Sequence, residues 1–274
     1  MIEAADRGKM AATDTFQRPA DLAARTDPAA LYVRSYLNIR TVVGVIGLAL
    51  PIAFIVGEAA YLRGSVHVRG SISAYYHSSM RDLFVAGLSV VGFLLLTYMS
   101  AQPRTWDYWL STVAGIAVIG VVFFPTRRVG IQPGAPLCGV EPQPAGCAPI
   151  QQALGENTVA IVHFVCAAVF ISCLAAIAFI FAYREKKYEN DRRMALVQKI
   201  CGWAIVAAVV WVAVGGLLRL TLGELTPLYL GEVVAVWAFG TSWLLKGRDL
   251  TAVLFPSKPA PDTAGTEQPE PRIV

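Results

Sequence analysis

Six apolar stretches, each long enough to cross a lipid bilayer, recur along this chain. A transmembrane helix needs about 20 mostly apolar residues, because each residue rises about 1.5 Å across a hydrocarbon core about 30 Å thick. Only 15% of the residues are charged, whereas soluble domains usually carry about 25%. The pattern therefore predicts an all-α integral membrane bundle. The predicted spans lie at about 41–61, 83–101, 107–125, 158–182, 200–222 and 228–246.

The distribution of Lys and Arg predicts the orientation of this bundle, since cytoplasmic loops collect basic residues. Most of them lie in segments 1–40, 102–106, 183–199 and 247–274. We therefore expect both termini in the cytoplasm (N-in/C-in) and no nucleic-acid partner, because the basic clusters adjoin spans and are mixed with acidic residues. The ends, 1–26 and 247–274, are predicted to be disordered cytoplasmic tails, since their composition cannot bury a core. This leaves 27–246 as one six-helix transmembrane domain.

The inner ends of the predicted spans carry two further signals. Asp27-Pro28 is typical of a helix start, with Asp as N-cap and Pro at the first helical position. The segment after it fits two alternatives, a short helix on the inner membrane surface or a cytoplasmic extension of span one. An aromatic belt is predicted from four tryptophans at inner span ends, Trp106, Trp109, Trp203 and Trp243.

Two cysteines fall in the long loop between spans three and four. Cys138 and Cys147 lie on the non-cytoplasmic side by this topology, and that side is oxidising in most cells. We therefore expect a disulfide between them, with two free thiols as the alternative. Their spacing does not match a CxxC metal or redox motif.

Ionisable residues within or beside the spans are concentrated at the outer end of the bundle. Charges in this position are costly, so each is a candidate functional residue. The short connection between spans five and six makes those helices antiparallel neighbours, so that Arg219 and Glu232 are a candidate ion pair. The alternative is that each side chain extends separately to the lipid headgroups. The outer set is Glu58, Asp82, His163, Arg219, Glu224 and Glu232.

The loop after span one adds hydrogen-bonding and titratable groups to this layer. Ser73, Tyr76, His77 and Arg81 come directly before the second span. If the segment is helical, Ser73 and His77 share one face through their i, i+4 spacing. Such a pair is compatible with a Ser–His arrangement or with a metal ligand, and Tyr76 is equally compatible with an ordinary interfacial aromatic.

Three segments carry a resemblance to a known group of proteins: SISAYYHSSMRDLFV (71–85), GVVFFPT (120–126) and HFVCAAVF (163–170). Together they resemble a family of uncharacterised bacterial six-span membrane proteins (a domain of unknown function) that is distantly DRAM/Sfk-like. The resemblance implies lipid handling or membrane organisation, without an agreed catalytic mechanism, and a location in the bacterial inner membrane.

A second resemblance is to membrane hydrolases of the ceramidase and adiponectin-receptor type. Ser73-x-x-x-His77 and Asp82 look similar to the first part of their zinc-binding pattern. The later His-x-x-x-His is missing, because His163 is followed at i+4 by Ala167. The alternative function implied is a membrane hydrolase that uses Ser73, His77, Asp82 and His163, with or without zinc.

The sequence favours a non-enzymatic role, in which an outward-facing polar pocket binds a lipid headgroup, a small anionic ligand or a partner. Arg81 and Arg219 are expected to face the anionic group, with the acidic residues balancing them and the histidines donating hydrogen bonds or responding to pH. Membrane lipids are the expected partners, no cofactor or metal is expected, and the oligomeric state is not indicated. The candidate ligand-binding residues are Glu58, Ser73, Tyr76, His77, Arg81, Asp82, His163, Arg219 and Glu232.

Overall fold

The computed structural model describes residues 28–66, 68–98, 103–128, 130–132, 134–220 and 225–247. The predicted all-α class is confirmed, since these ranges contain helices and loops and no β-sheet. The α-helices are α1 (Pro28–Tyr61), α2 (Arg81–Thr97), α3 (Trp106–Phe123), α4 (Pro149–Leu154), α5 (Glu156–Arg184), α6 (Arg192–Leu217) and α7 (Pro227–Gly247). A 3₁₀ segment (Ser73–His77) precedes α2, and a π-helical turn (Glu185–Glu189) follows α5. Of the predicted tails, 1–26 and 248–274 lie outside the described residues, as does Glu224. The predicted start of the second tail at 247 is wrong by one residue, because Gly247 is the last residue of α7.

Five of the described helices are long and apolar enough to cross a membrane, which indicates a membrane protein. They correspond to the first, third, fourth, fifth and sixth predicted stretches, at Ser35–Tyr61, Trp106–Phe123, Glu156–Glu189, Arg192–Leu217 and Pro227–Lys246. The second stretch also forms a helix, α2, but its described length is 17 residues. The fold therefore supports five of the six predicted spans by length and composition.

The segment before span one is a continuous extension of that span. α1 runs without a break from Pro28 to Tyr61 over 34 residues, which corresponds to about 51 Å of helix. A separate helix on the membrane surface, one of the two alternatives, is therefore wrong. Pro28 stands at the first helical position as predicted, and Asp27 lies outside the described residues.

The six long helices form a ring, with α4 as a short helix at its edge. Around the ring the order is α1, α2, α3, α5, α6 and α7, and α7 packs back against α1. Glycines permit the closest crossings: a Cβ atom added to Gly44 of α1 would lie 2.7 Å from the backbone nitrogen of Leu244 in α7. Small residues at such crossings let helix backbones approach closely in a membrane.

The end of the ring that carries the 3₁₀ segment and the 126–148 loop is called the outer end here, and the opposite end is the inner end. At the inner end Trp243 is fully buried, between Tyr98, Phe181 and Phe239. Its assignment to an exposed aromatic belt is therefore wrong, because the ring turns this face of α7 towards its centre. The other three predicted belt residues are exposed, namely Trp106, Trp109 and Trp203.

Ion pairs join the helices at the inner end. Lys246 of α7 lies 2.7 Å from Glu185 and also binds Glu189, both in the π-helical turn. Arg184 of α5 pairs with Asp107 in the first turn of α3. These pairs bring together residues that are distant along the chain, and they stabilise the ring at the edge of its apolar zone.

Candidate functional site

The loop after α1 folds into the outer end of the ring and does not remain a surface linker. Residues Ser71 to Tyr76 are all buried. The backbone N–H of Ile72 donates to the Glu232 carboxylate, and the Ser73 hydroxyl lies 3.5 Å from the same group. The Thr226 hydroxyl donates to the Gly70 carbonyl oxygen. Two residues predicted to share the outer layer, Ser73 and Glu232, are therefore in contact.

Glu58 anchors the same loop to α1. Its carboxylate is buried, and the Arg69 Nε atom donates to it at 3.0 Å. The expectation that Glu58 balances Arg81 or Arg219 is therefore wrong. The loop reverses direction immediately after α1, which brings Arg69 back over the last turns of that helix.

Both described candidate histidines bind the end of α3. The Nε2 atom of His77 is 2.8 Å from the Thr126 carbonyl oxygen, and the Nδ1 atom of His163 is 2.8 Å from the Phe124 carbonyl oxygen. The extended segment 124–126 thus receives a hydrogen bond from each ring. Burial lowers the pKa of His77, although the Thr126 carbonyl partly opposes this effect. His77 is therefore neutral near pH 7.

The long loop after α3 is held by a buried carboxylate at the start of α5. Glu156 accepts hydrogen bonds from the Arg128 backbone N–H at 2.8 Å, from the Arg128 guanidinium at 3.0 Å and from the Cys138 N–H at 3.1 Å. Cys138 and Cys147 are joined by a disulfide, which confirms the predicted pair. The loop is consequently a fixed part of the outer end.

An outward-facing groove lies between the 3₁₀ segment and this loop. Its volume is about 400 Å³, and it is called the outer groove here. The guanidinium carbon of Arg81 lies 4.7 Å from the centre of the Tyr76 ring, and its NH2 donates to the Tyr76 hydroxyl at 3.1 Å. The residues that line the groove include Tyr76, His77, Ser78, Arg81, Arg128 and Gly146.

Arg81 supplies the groove with a positive charge that has no acidic partner among the described residues. Its side chain is exposed, and no described carboxylate forms an ion pair with it. Arg128, by contrast, is neutralised by Glu156 at 3.0 Å. The groove therefore carries one net positive charge from Arg81 beside a neutral His77.

The predicted pocket residues divide between two places. Tyr76, His77 and Arg81 line the outer groove, whereas Ser73, His163 and Glu232 line a separate cavity inside the ring. Three predicted residues line neither space: Glu58, which is buried, and Asp82 and Arg219, which are exposed.

The predicted pair between Arg219 and Glu232 is wrong, because the two residues face different surroundings. α6 ends at Leu217, and Arg219 follows it with a positive φ of 52° and an exposed side chain. Glu232 is directed into the ring, where it accepts hydrogen bonds from the Ile72 N–H and the Ser73 hydroxyl. The adjacency of α6 and α7 therefore does not bring the Arg219 and Glu232 side chains into contact.

The four residues of the hydrolase alternative do not form one hydrogen-bonded group. Ser73 contacts Glu232, His77 contacts the Thr126 carbonyl, and Asp82 is exposed in the first turn of α2. Among the described residues, no cluster of three His, Cys, Asp or Glu side chains is arranged to hold a metal ion.

Three residues of the outer end were missed by reasoning from the sequence: Arg128, Gln151 and Glu156. Gln151 is fully buried and donates to the Thr126 carbonyl oxygen at 2.9 Å. Glu156 stands two residues before the predicted start of span four at 158. The rule that charges beside spans are costly would have identified it if the span had been drawn slightly longer.

Comparison with known proteins finds no matching family model, no matching curated protein and no matching solved structure.

Proposed function

We propose that the protein is a six-span membrane protein, with both termini in the cytoplasm, which binds an anionic phosphate group in the outer groove. The proposal includes α2 as a span: its 17 residues extend about 26 Å, close to the core thickness of about 30 Å. α2 also occupies a full position in the ring, between α1 and α3. The concentration of basic residues in alternate segments supports the orientation, and the resemblance to bacterial membrane proteins supports the inner membrane.

The observation that carries the binding proposal is the unpaired charge of Arg81. A guanidinium group has five N–H donors in a planar fork that matches phosphate oxygens. Among the described residues, the Arg81 guanidinium forms one hydrogen bond, to the Tyr76 hydroxyl. Its position over the Tyr76 ring orients the group, so that the remaining donors are available to a ligand in the groove.

Electrostatics favours an anion over a cation in this groove. The Glu156 carboxylate, which pairs with Arg128, is buried and already accepts hydrogen bonds from Arg128 and Cys138. No carboxylate lines the groove among the described residues. A bound anion would also raise the pKa of His77, because a nearby negative charge favours the protonated imidazole.

The role proposed is binding without catalysis, and the ligand chemistry is a phosphate group, either on a lipid headgroup or free in solution. In the proposed six-span arrangement, the groove at the outer end lies near the headgroup layer. The resemblance to DRAM/Sfk-like proteins, which implies lipid handling, stays a prediction that agrees with this role.

The test is binding of two probes to the protein in phosphatidylcholine nanodiscs, measured by isothermal titration calorimetry. The probes are a short-chain phosphatidylglycerol and inorganic phosphate. We expect saturable binding of at least one probe and a loss of at least about tenfold in affinity for Arg81→Gln, since a hydrogen bond to a charged group contributes about 1.5–3 kcal/mol.

The matched control is Arg127→Gln, which removes the same charge from an exposed residue that does not line the groove. It should bind within about twofold of the parent protein, because exposed charges contribute little. Preference for phosphatidylglycerol would identify a lipid headgroup, and equal binding of free phosphate would identify a small anion. The proposal is overturned if neither probe binds saturably, or if Arg81→Gln and Arg127→Gln behave alike.

A further inference from the structure

The ring of helices encloses a second, different cavity, which is called the central cavity here. Its volume is about 350 Å³, within the range of about 300–1,000 Å³ that is usual for small-molecule sites. All six long helices contribute to its lining. Apolar side chains form nearly the whole surface, as with Phe54, Val118, Ala167 and Phe239.

The polar side chains of the central cavity all lie at its outer end. Of the described residues that line it, only Ser73, His163 and Glu232 are polar. The lining continues along α5 from His163 to Leu174, eleven residues further, which corresponds to about 16 Å along the helix axis. The cavity is thus an elongated apolar space with one polar end, the shape of a single-chain amphiphile.

The wall between α5 and α6 opens to the outside of the ring. Four lining residues there are exposed, Phe164 and Ala168 of α5 and Val209 and Ala213 of α6, and they define the side opening. Lining residues on the opposite wall are buried; Val118 is an example.

The side opening is confined to the outer halves of these two helices. Nearer the inner end α5 and α6 close together, since a Cβ atom at Gly202 would lie 2.8 Å from the Phe179 ring. The surface around the opening is apolar, with exposed Ile161, Val165 and Val210. In the six-span arrangement proposed above, the opening therefore faces lipid chains and not water.

Glu232 defines the chemistry of the polar end. Its side chain, on α7, is partly buried and accepts hydrogen bonds from the Ile72 N–H and the Ser73 hydroxyl. Among the described residues, no Lys, Arg or His forms an ion pair with it. A carboxyl group accepts more hydrogen bonds than these two donors supply, so acceptor capacity remains. A head that donates hydrogen bonds complements this end, whereas a carboxylate head would bring a charge into an apolar cavity in which no described cation pairs with it.

We infer that the central cavity binds a single apolar chain that ends in a hydrogen-bond-donating head, a hydroxyl or an ammonium group, and that enters from the bilayer through the side opening. A cavity of about 150 Å³ accepts benzene, so the volume of about 350 Å³ present here accommodates about 14 carbon atoms by the same ratio. This site is distinct from the outer groove, and neither depends on the other.

The test uses a twelve-carbon alcohol with a photoreactive diazirine in its chain, added to the protein in phosphatidylcholine nanodiscs. Saturable labelling should map to the cavity-lining part of α5, between His163 and Leu174. Dodecan-1-ol and dodecylamine should compete with the label, and dodecanoate should not. Preference for the alcohol or for the amine identifies the head, because only the ammonium group can form an ion pair with Glu232.

Variants distinguish labelling inside the cavity from adventitious labelling of the lipid-facing surface. Ala213→Trp narrows the side opening and should lower saturable labelling at least fivefold, while Val210→Trp places the same indole ring on a neighbouring exposed residue outside the lining. Glu232→Leu should weaken binding at least about tenfold. If Ala213→Trp does not fold, Ala168→Trp narrows the opening from the α5 side.

The inference is overturned by any of three results. The first is labelling of the parent protein that does not saturate or that maps to residues outside the cavity. The second is competition by dodecanoate as strong as that by dodecan-1-ol. The third is labelling of Ala213→Trp as strong as that of Val210→Trp. Because Arg81 does not line this cavity, an Arg81→Gln variant should keep full labelling, so failure here is distinguishable from failure at the outer groove.

Discussion

Replacing Glu156 by Gln removes the carboxylate that holds the 126–148 loop to α5. Three donors converge on this group: the Arg128 N–H, the Arg128 guanidinium and the Cys138 N–H. The amide keeps one acceptor oxygen, but its NH2 group faces a donor that was previously bound. Loss of one partner of a buried ion pair costs about 3–5 kcal/mol. The Arg128 side chain retains 11% exposure, so we expect a value near the lower limit, about 3 kcal/mol.

The assay is thermal unfolding of the purified protein in one detergent, followed by tryptophan fluorescence. A change of 1 kcal/mol shifts the melting temperature by about 2–4 °C for chains of this order of size, so Glu156→Gln should lower it by about 6–12 °C. The matched control is Glu141→Gln, which removes an exposed acid from the same loop and should cost less than about 1 kcal/mol.

The reasoning about Glu156 is refuted if both variants melt within about 2 °C of the parent protein. Mass spectrometry without reductant should show the Cys138–Cys147 bond in every sample, so that a change in melting temperature reports the ion pair. A large loss in both variants would show that loop charge in general, and not the buried contact, determines stability.

Two further predictions concern His77 and the crossing of α1 with α7. Burial lowers the pKa of His77 below its usual value of about 6.5, so its contribution to stability is complete above that pH and is lost as the pH falls through the folded pKa. His77→Asn should therefore show a smaller fall in melting temperature between about pH 7 and 5, and an unchanged fall would contradict the assignment. Gly44→Ala places a Cβ atom 2.7 Å from the Leu244 nitrogen and should cost about 1–3 kcal/mol. Gly216→Ala, which meets no atom within 4 Å, should leave the melting temperature unchanged or slightly raised, and equal losses in both glycine variants would refute the crossing.

The composition and the lengths of the apolar stretches were sufficient to predict the class of this protein. A bilayer requires runs of about 20 apolar residues with internal hydrogen bonding, and short continuous segments of sequence are enough to show whether this requirement is met. The disulfide was also predictable, because two cysteines nine residues apart stand alone in a polar loop. The alternating direction of successive spans also predicted that most candidate residues lie at one end of the bundle.

Partners within the outer layer were not predictable from the same reasoning. Glu58 binds Arg69, and Glu232 binds the 3₁₀ segment, whereas the sequence suggested arginines near spans two and five. Residue spacing along a helix determines a face, but it does not determine which loop folds back onto that face. The pairing of Arg128 with Glu156 depends on the return of the 126–148 loop to α5, which the sequence does not indicate.

The sequence by itself determined that the chain forms long apolar helices with polar residues at one end, because hydropathy and helix length depend on local runs of residues. Only the tertiary structure decided that these helices close into a ring, that a loop segment occupies its outer end and that an apolar cavity remains beneath. The physical reason is that ring closure depends on which helix faces pack together, for example at Gly44 and Gly240, and such pairings join residues nearly 200 positions apart.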